Sequence, residues 1–286
     1  SNKYLKSYLI TSKEICQSLS NYNQKYNKIK IYLRVFSKIS ELILNNESKL
    51  NKDFKLFNIK FRKKYYDKFT FYILKNVNFL NTRKNFILSG MNLAFLGYFG
   101  KGDLYPRKNL LHWPDGIFIK KLIDIKKIPG RLILKNIRLD KKINKINIIG
   151  NLSKISSKYL KKKFKLEINH IKLPYAPIDI LIKNKISLKK NELTLVTLPT
   201  PKQEILAYNL AKLNKNYKII CIGASVAITS GEEVKVPKFM ENYEFIWRLK
   251  NDTFRRFKRL IQTFYYFFMG KYIGKIYNKI IFKIIE

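Results

Sequence analysis

Four short stretches place polar or charged side chains where a turn or a helix start alone would not require them. In Ser89-Gly90-Met91-Asn92 an asparagine follows an apolar run, and its amide offers a donor and an acceptor to a ligand or caps a turn. Pro114-Asp115-Gly116 sets one carboxylate between Trp113 and Phe118. Desolvation raises a carboxylate's pKa and makes it a stronger base, so Asp115 is a candidate for taking a proton, although Pro-Asp-Gly is also a strong turn signal. In Pro199-Thr200-Pro201-Lys202-Gln203-Glu204 two prolines stiffen the backbone, and Gln203 and Glu204 fall in the first turn of the next helix, where free N–H groups face a ligand crevice. The helix dipole explains an acid at Glu204; it does not explain Lys202-Gln203. Finally, Arg248, Arg255, Arg256 and Arg259 with Lys258 bring arginine into a chain that otherwise uses lysine, and arginine matches phosphate oxygens bidentately. Arg248, Arg255 and Arg259 share one helical face.

The elements that must position these residues follow from an alternation of short β-branched runs and helical patterns. The sequence predicts strands at "FKLFNIKF", "NFILSGMN", "INIIG", "LEINHI", "LTLVTL" and "KIICIG", and helices at "YDKFTFYILKNVNFL", "RLILKNI", "SKISSKYLKKKF", "IDILIKNKIS" and "QEILAYNLAKL". That order argues for α/β, a Rossmann-like, mostly parallel sheet flanked by helices, with ligands at the carboxyl ends of the strands. Residues 1–53 read as a Lys- and Asn-rich helical extension, 54–234 as the catalytic α/β domain and 235–286 as a helical appendage. In the last of these, Lys271, Lys275, Lys279 and Lys283 recur every four residues among isoleucines and aromatics. Such a helix suits an anionic membrane interface, with lysines snorkelling to headgroups, and equally a face packed on the domain or on another protomer.

Composition bounds the partners. The chain has 286 residues, 46% of them hydrophobic, enough for one large domain with appendages. Its formal net charge is +40, from 59 Lys and Arg against 19 Asp and Glu, which points towards phosphates or an anionic membrane surface. Lysine, isoleucine and asparagine fill nearly every segment, so a single lysine run reads as a solvated face. Cys16 and Cys221 are far apart and the only histidines are His112 and His170, so neither a disulfide framework nor a metal centre is expected, and a reducing compartment fits. No run of apolar residues is long enough to span a bilayer, and Ser1-Asn2-Lys3-Tyr4-Leu5-Lys6 carries no signal-peptide h-region.

Taken together these residues resemble the WecG/TagA/CpsF glycosyltransferases, glycosyltransferase family 26. The resemblance rests on Asn92, Pro114-Asp115-Gly116, Pro129-Gly130-Arg131-Leu132, Leu198-Pro199-Thr200-Pro201-Lys202-Gln203-Glu204, Cys221-Ile222-Gly223-Ala224-Ser225, and Glu244-Phe245-Ile246-Trp247-Arg248-Leu249 followed by Arg255, Lys258 and Arg259, in family order from about residue 54 to about residue 262. It implies an inverting, metal-independent transferase without a cofactor. Such enzymes move an N-acetylhexosamine-type sugar, often N-acetylmannosamine or its uronic acid, from a UDP donor to a saccharide on undecaprenyl diphosphate at the cytoplasmic membrane face. On that resemblance Asp115 is the base; Asn92, Gly116, Arg131, Thr200, Lys202, Gln203, Glu204 and Gly223 bind substrate; and Arg248, Arg255, Lys258 and Arg259 hold the lipid diphosphate. A peripheral place on the inner face of the plasma membrane, with a possible homo-oligomer, follows from the same source.

The chain departs from the family pattern at Gly90, where the family has Thr, at Ala227, where it has Asp, at Pro199-Thr200-Pro201, where it has Gly-Ala-Pro, and at Lys235-Val236-Pro237, where it has Arg-Ala-Pro. Two other readings stand beside the transferase. One is a nucleotide-sugar-binding homologue with weak catalysis; the other is a basic nucleic-acid-binding protein, favoured by the charge and by 19 Tyr and 20 Phe. The sequence lacks helix-turn-helix, RRM and zinc-finger signatures and spreads its charge, and "INIIGNLSKIS" lacks the GxGxxG of a dinucleotide oxidoreductase.

Overall fold

In the computed structural model the described residues are 69–76, 84–107, 109–184, 186–233, 253–268, 270–271 and 280–285. The expected extension over 1–53 and the expected strand at "FKLFNIKF" lie outside them. Eight strands, β1 Phe69–Leu74, β2 Phe86–Met91, β3 Leu110–Pro114, β4 Lys145–Ile149, β5 Glu167–Ile171, β6 Glu192–Val196, β7 Lys218–Cys221 and β8 Ile280–Ile285, form one sheet in the order β5-β4-β6-β7-β2-β3-β1-β8. Every pairing is parallel. The helices are α1 Leu93–Lys101, α2 Ile117–Ile123, α3 Gly130–Asn136, α4 Lys154–Phe164, α5 Ile178–Leu181, α6 Lys202–Leu213, α7 Ser225–Ser230 and α8 Thr253–Phe268. This is the Rossmann-like α/β architecture expected from the sequence, with the sheet parallel throughout. Parallel sheets need cover on both faces, and all six residues of β2 are buried.

Several elements differ from the sequence expectation, and β3, α2 and α7 stand where no strand or helix is predicted. Residues Phe69–Leu74, expected inside a helix, are β1, because Phe69, Phe71 and Ile73 alternate into the core while Thr70 and Tyr72 do not. Ile280–Ile285, expected in a lysine-ridged helix, is β8, paired along its whole length with β1. There the four-residue lysine period competes with a local run of isoleucines and Phe282, residues that fit a pleated surface, and the sheet decides. Residues 93–101, expected as loop, are α1: Asn92 accepts from Phe95 N at its start, and Gly102 ends it in the left-handed region. The helix at "IDILIKNKIS" shrinks to α5, since Asn184 and Asn209 take the carbonyls of Leu181 and Ile182. No helix among the described residues is long and apolar enough to cross a membrane.

Aromatic rings pack beneath β1 to β3. Phe71 meets Phe95, Phe99 and the His112 imidazole edge to face, and stacks on Phe282. His112 is fully buried, and loss of hydration pushes its pKa down to about 3, so the ring is neutral. Below the ordinary histidine pKa the unfolded chain takes a proton that the native ring refuses. Stability supplied by the neutral ring is therefore present above about pH 6.5 and is lost as pH falls towards about 3. Replacing His112 with Leu removes this term. Between about pH 7 and about pH 4 the wild type should lose about 3 kcal/mol more unfolding free energy than His112→Leu, read by denaturant titration at the two pH values. Equal losses would show that His112 does not govern the acid response.

Candidate functional site

Because all strands run one way, their carboxyl ends share one edge, and the register sets them level. Met91 pairs with Pro114, Ser89 with Cys221, and Val196 with Cys221. The next residues off β2 and β3 are Asn92 and Asp115. Asp115 N donates to Met91 O at 3.0 Å, and Asn92 Nδ2 donates to Asp115 Oδ2 at 3.0 Å. As the N-cap of α1, Asn92 also accepts from Phe95 N through Oδ1 at 3.0 Å. Both ends of the amide are thus fixed, and the donor end faces the carboxylate. Gly116 has φ +84, a conformation that favours glycine, and turns the chain into α2.

Gly90, where the chain departs from the family threonine, has a steric reason. A Cβ there would lie 2.9 Å from Trp113 Cζ2 and 3.2 Å from Asp115 Cβ. The indole takes the space that a side chain at 90 would need. A Cβ on Gly130 would meet the same ring at 3.7 Å and would collide with Ser225 Oγ. Arg131 follows in the first turn of α3, half-buried.

The loop from Pro199 to Glu204 joins β6 to α6 at the same edge. Glu204 is fully buried, and its Oε1 accepts from Ser89 Oγ at 2.7 Å, Gln203 Nε2 at 2.8 Å and Thr200 Oγ1 at 3.1 Å, while Oε2 has no partner among the described residues. Burial pushes the Glu204 pKa up, and the three donors oppose that shift. Gln203 is buried too: its Nε2 also donates to Thr200 Oγ1, and its Oε1 accepts from Gly223 N at 3.0 Å. Burial, with the Glu204 charge adding to it, holds the Cys221 thiol and the Tyr208 phenol well above their ordinary pKa values. Lys202 reaches outward, donating to Ala176 O at 2.7 Å beside the exposed ring of Tyr175. Nearby, a groove of about 450 Å³ at the start of α4 is lined by Ser153, Lys154, Lys158, Lys161 and His170. No group of three His, Cys, Asp or Glu side chains among the described residues is placed to hold a metal ion.

Of the predicted arginine cluster, Arg248 lies outside the described residues, Arg255 and Lys258 lie on α8 with side chains outside them, and Arg259 reaches the site. Its Nη2 donates to Thr200 O at 2.6 Å. Helix α8 is seated on α1 by a close approach at Gly97, where a Cβ would meet Thr263 O at 2.6 Å, and by the pair Tyr98–Tyr266, while Phe267 meets Phe118 of α2 edge to face.

The model described as the Glycosyl transferase WecG/TagA/CpsF family matches residues 150–278. Over that span the chain is similar to this glycosyltransferase family, as the sequence resemblance implies. The match covers Thr200 to Glu204, Gly223 and the α8 arginine; Asn92, Asp115 and Arg131 lie ahead of it, the first two bonded to each other at the same edge. No curated protein matches the sequence.

Ser89 and Gly97 were not picked out as site residues by the sequence reading. Each left a signal: a hydroxyl inside an otherwise apolar strand, and a glycine inside a helix. An ordinary helical Gly→Ala change gains up to about 1 kcal/mol. At Gly97 the new methyl meets a backbone carbonyl, so Gly97→Ala should instead lower stability by about 1–3 kcal/mol and lower the melting temperature. A rise in melting temperature would sink the close approach of α1 and α8.

Proposed function

We propose that this chain is an inverting glycosyltransferase that moves an N-acetylhexosamine-type sugar, N-acetylmannosamine or a relative, from a UDP-sugar to a saccharide on undecaprenyl diphosphate, working at the inner face of the plasma membrane. The observation that carries the reading is Asp115, held 3.0 Å from the Asn92 amide at the carboxyl edge, in the same rim as the Thr200 to Glu204 loop. Direct displacement at an anomeric carbon needs one base. Asp115 takes the proton of the acceptor hydroxyl as its oxygen bonds to the anomeric carbon, the bond to the diphosphate breaks, and UDP leaves with the electron pair. Asn92 donates to the carboxylate and fixes its orientation.

Negative charge grows on the departing diphosphate, and donors fixed before the reaction stabilise it best. The arginine of α8, already within reach of the loop, and Lys202 are the cations nearest to hand, so the reading assigns this charge to side chains and N–H groups rather than to a metal ion. The excess of lysine and arginine, +40 overall, favours a diphosphate-bearing acceptor and an anionic lipid surface in the same way.

A UDP-release screen across sugar donors, with a short polyprenyl-diphosphate-linked acceptor, tests the reading. Release that requires the acceptor is expected. UDP that raises the melting temperature without release would point to the weakly catalytic homologue, and salt-steep binding of single-stranded DNA with no response to UDP to the nucleic-acid reading. Asp115→Asn should lower turnover by about a hundredfold or more while UDP still protects against melting. Asn92→Asp places a like charge beside Asp115, so the acid limb of the pH–rate profile should move to higher pH. Near-normal turnover in Asp115→Asn would remove that residue from the base role.

A further inference from the structure

The geometry points to Glu204 as the positioning residue of this site, a buried acceptor that sets the Gln203 amide and the Thr200 hydroxyl and ties their loop to β2. It deepens the glycosyl-transfer reading and, as far as activity goes, rests on it. Glu204 touches no solvent, with relative exposure of 0%, so direct contact with a sugar or phosphate is not its task. Its one bonded oxygen gathers three donors from two different segments: Ser89 on β2 at 2.7 Å, and Gln203 and Thr200 on the loop at 2.8 and 3.1 Å.

The consequence for Gln203 is directional. A glutamine amide presents an acceptor on one side and donors on the other, and its orientation is set by its partners. With a carboxyl oxygen on one flank, Nε2 must face Glu204, which leaves Oε1 to receive Gly223 N at 3.0 Å. One buried acceptor thereby links the loop after β6 to the chain after β7. Through Ser89 it also reaches β2, three residues before Asn92. The site's two halves, the base pair Asn92–Asp115 and the loop, are joined through this carboxyl rather than through loop contacts alone. Burying a carboxyl raises its pKa and costs stability, and one of its oxygens has no partner among the described residues. An apolar side chain would fill the same space without that cost, but it would take their shared acceptor from the Ser89 and Thr200 hydroxyls and would leave Gln203 Nε2 only Thr200 Oγ1.

Two substitutions separate acceptor from charge. Glu204→Gln keeps an oxygen for the three donors and places its NH2 where Oε2 now lies; Glu204→Met keeps the volume and removes the acceptor. The readout is the side-chain amide of Gln203 in protein labelled with 15N-glutamine. The chain has four glutamines, Gln17, Gln24, Gln203 and Gln262, and Gln203→Glu identifies the signal. In Glu204→Met the Gln203 amide should exchange with solvent about tenfold faster or more and move towards the exposed-glutamine position, whereas Glu204→Gln keeps it dispersed and protected. The donor KM should rise about tenfold in Glu204→Met, with most of that loss recovered in Glu204→Gln. If Glu204→Met does not fold, Ser89→Ala supplies the same test, since it frees the carboxyl from β2 and should loosen the Gln203 amide in the same direction. An unmoved Gln203 signal in folded Glu204→Met, or in Ser89→Ala where that variant does not fold, overturns the assignment. The amide measurement needs neither donor nor acceptor. Wild-type protein that releases no UDP with any donor would therefore overturn the glycosyl-transfer reading and leave this result to stand or fall alone.

Discussion

The parallel register that sets Met91 opposite Pro114 governs what the rest of the molecule can do. It brings Asn92 and Asp115 off the sheet together, one residue past the last pair, so that an amide and a carboxylate separated by 23 positions meet at 3.0 Å. A slip of one residue would turn one of the two side chains to the other face of the sheet. The same level is held across β2, β7 and β6 by the pairs Ser89–Cys221 and Val196–Cys221, which delivers Gly223 and the Thr200 loop to the same rim. Loop chemistry here inherits its precision from strand pairing.

Beneath the rim the protein accepts buried polar groups where apolar ones would be cheaper. His112 is neutral among phenylalanine rings, and among the described residues neither buried Trp113 Nε1 nor Glu204 Oε2 has a partner. Each such group subtracts from stability. Only Glu204 returns a visible structural gain, by gathering Ser89, Thr200 and Gln203 around one oxygen. Burial holds its pKa up, so its ionisation opposes folding as pH rises above the ordinary glutamate range.

The sheet was legible where apolar runs were short and bounded, as at "INIIG", "LTLVTL" and "KIICIG", because a buried parallel strand writes itself as a β-branched run. It was misread where two periodicities coincide. In "FTFYIL" adjacent Ile73 and Leu74 blur an alternation that burial makes plain, and in the last residues a lysine every fourth position hides the isoleucines that pair with β1. The chemistry at Asp115 and in the Pro199 to Glu204 loop was visible as residue types in turns. Which of those residues faces outward was not. Gln203 and Glu204 looked alike in sequence as ligand contacts in a first helical turn, yet both are buried, because α6 packs on β2 and β7 with that turn innermost. Orientation about a helix axis is set by what the helix packs against, and Ser89, the partner that fixes it, is 115 residues away.

The Gly90–Trp113 pair shows how a departure from the family pattern can be structural and functional at once. A side chain at 90 and the indole of Trp113 exclude each other, since 2.9 Å is too close for carbon atoms. Trading a small polar residue at 90 for glycine therefore makes sense only with the large ring on β3, and the ring only with glycine at 90 and the close backing of Gly130. The exchange leaves Asp115 and Asn92 bonded as they are while it rebuilds the wall beside them. On the proposed reading, a change at this pair alters the wall that a substrate meets without touching Asp115. On that reading, the proton transfer belongs to Asp115 and its amide partner and the choice of sugar to what lines the wall between Gly90 and Ser225.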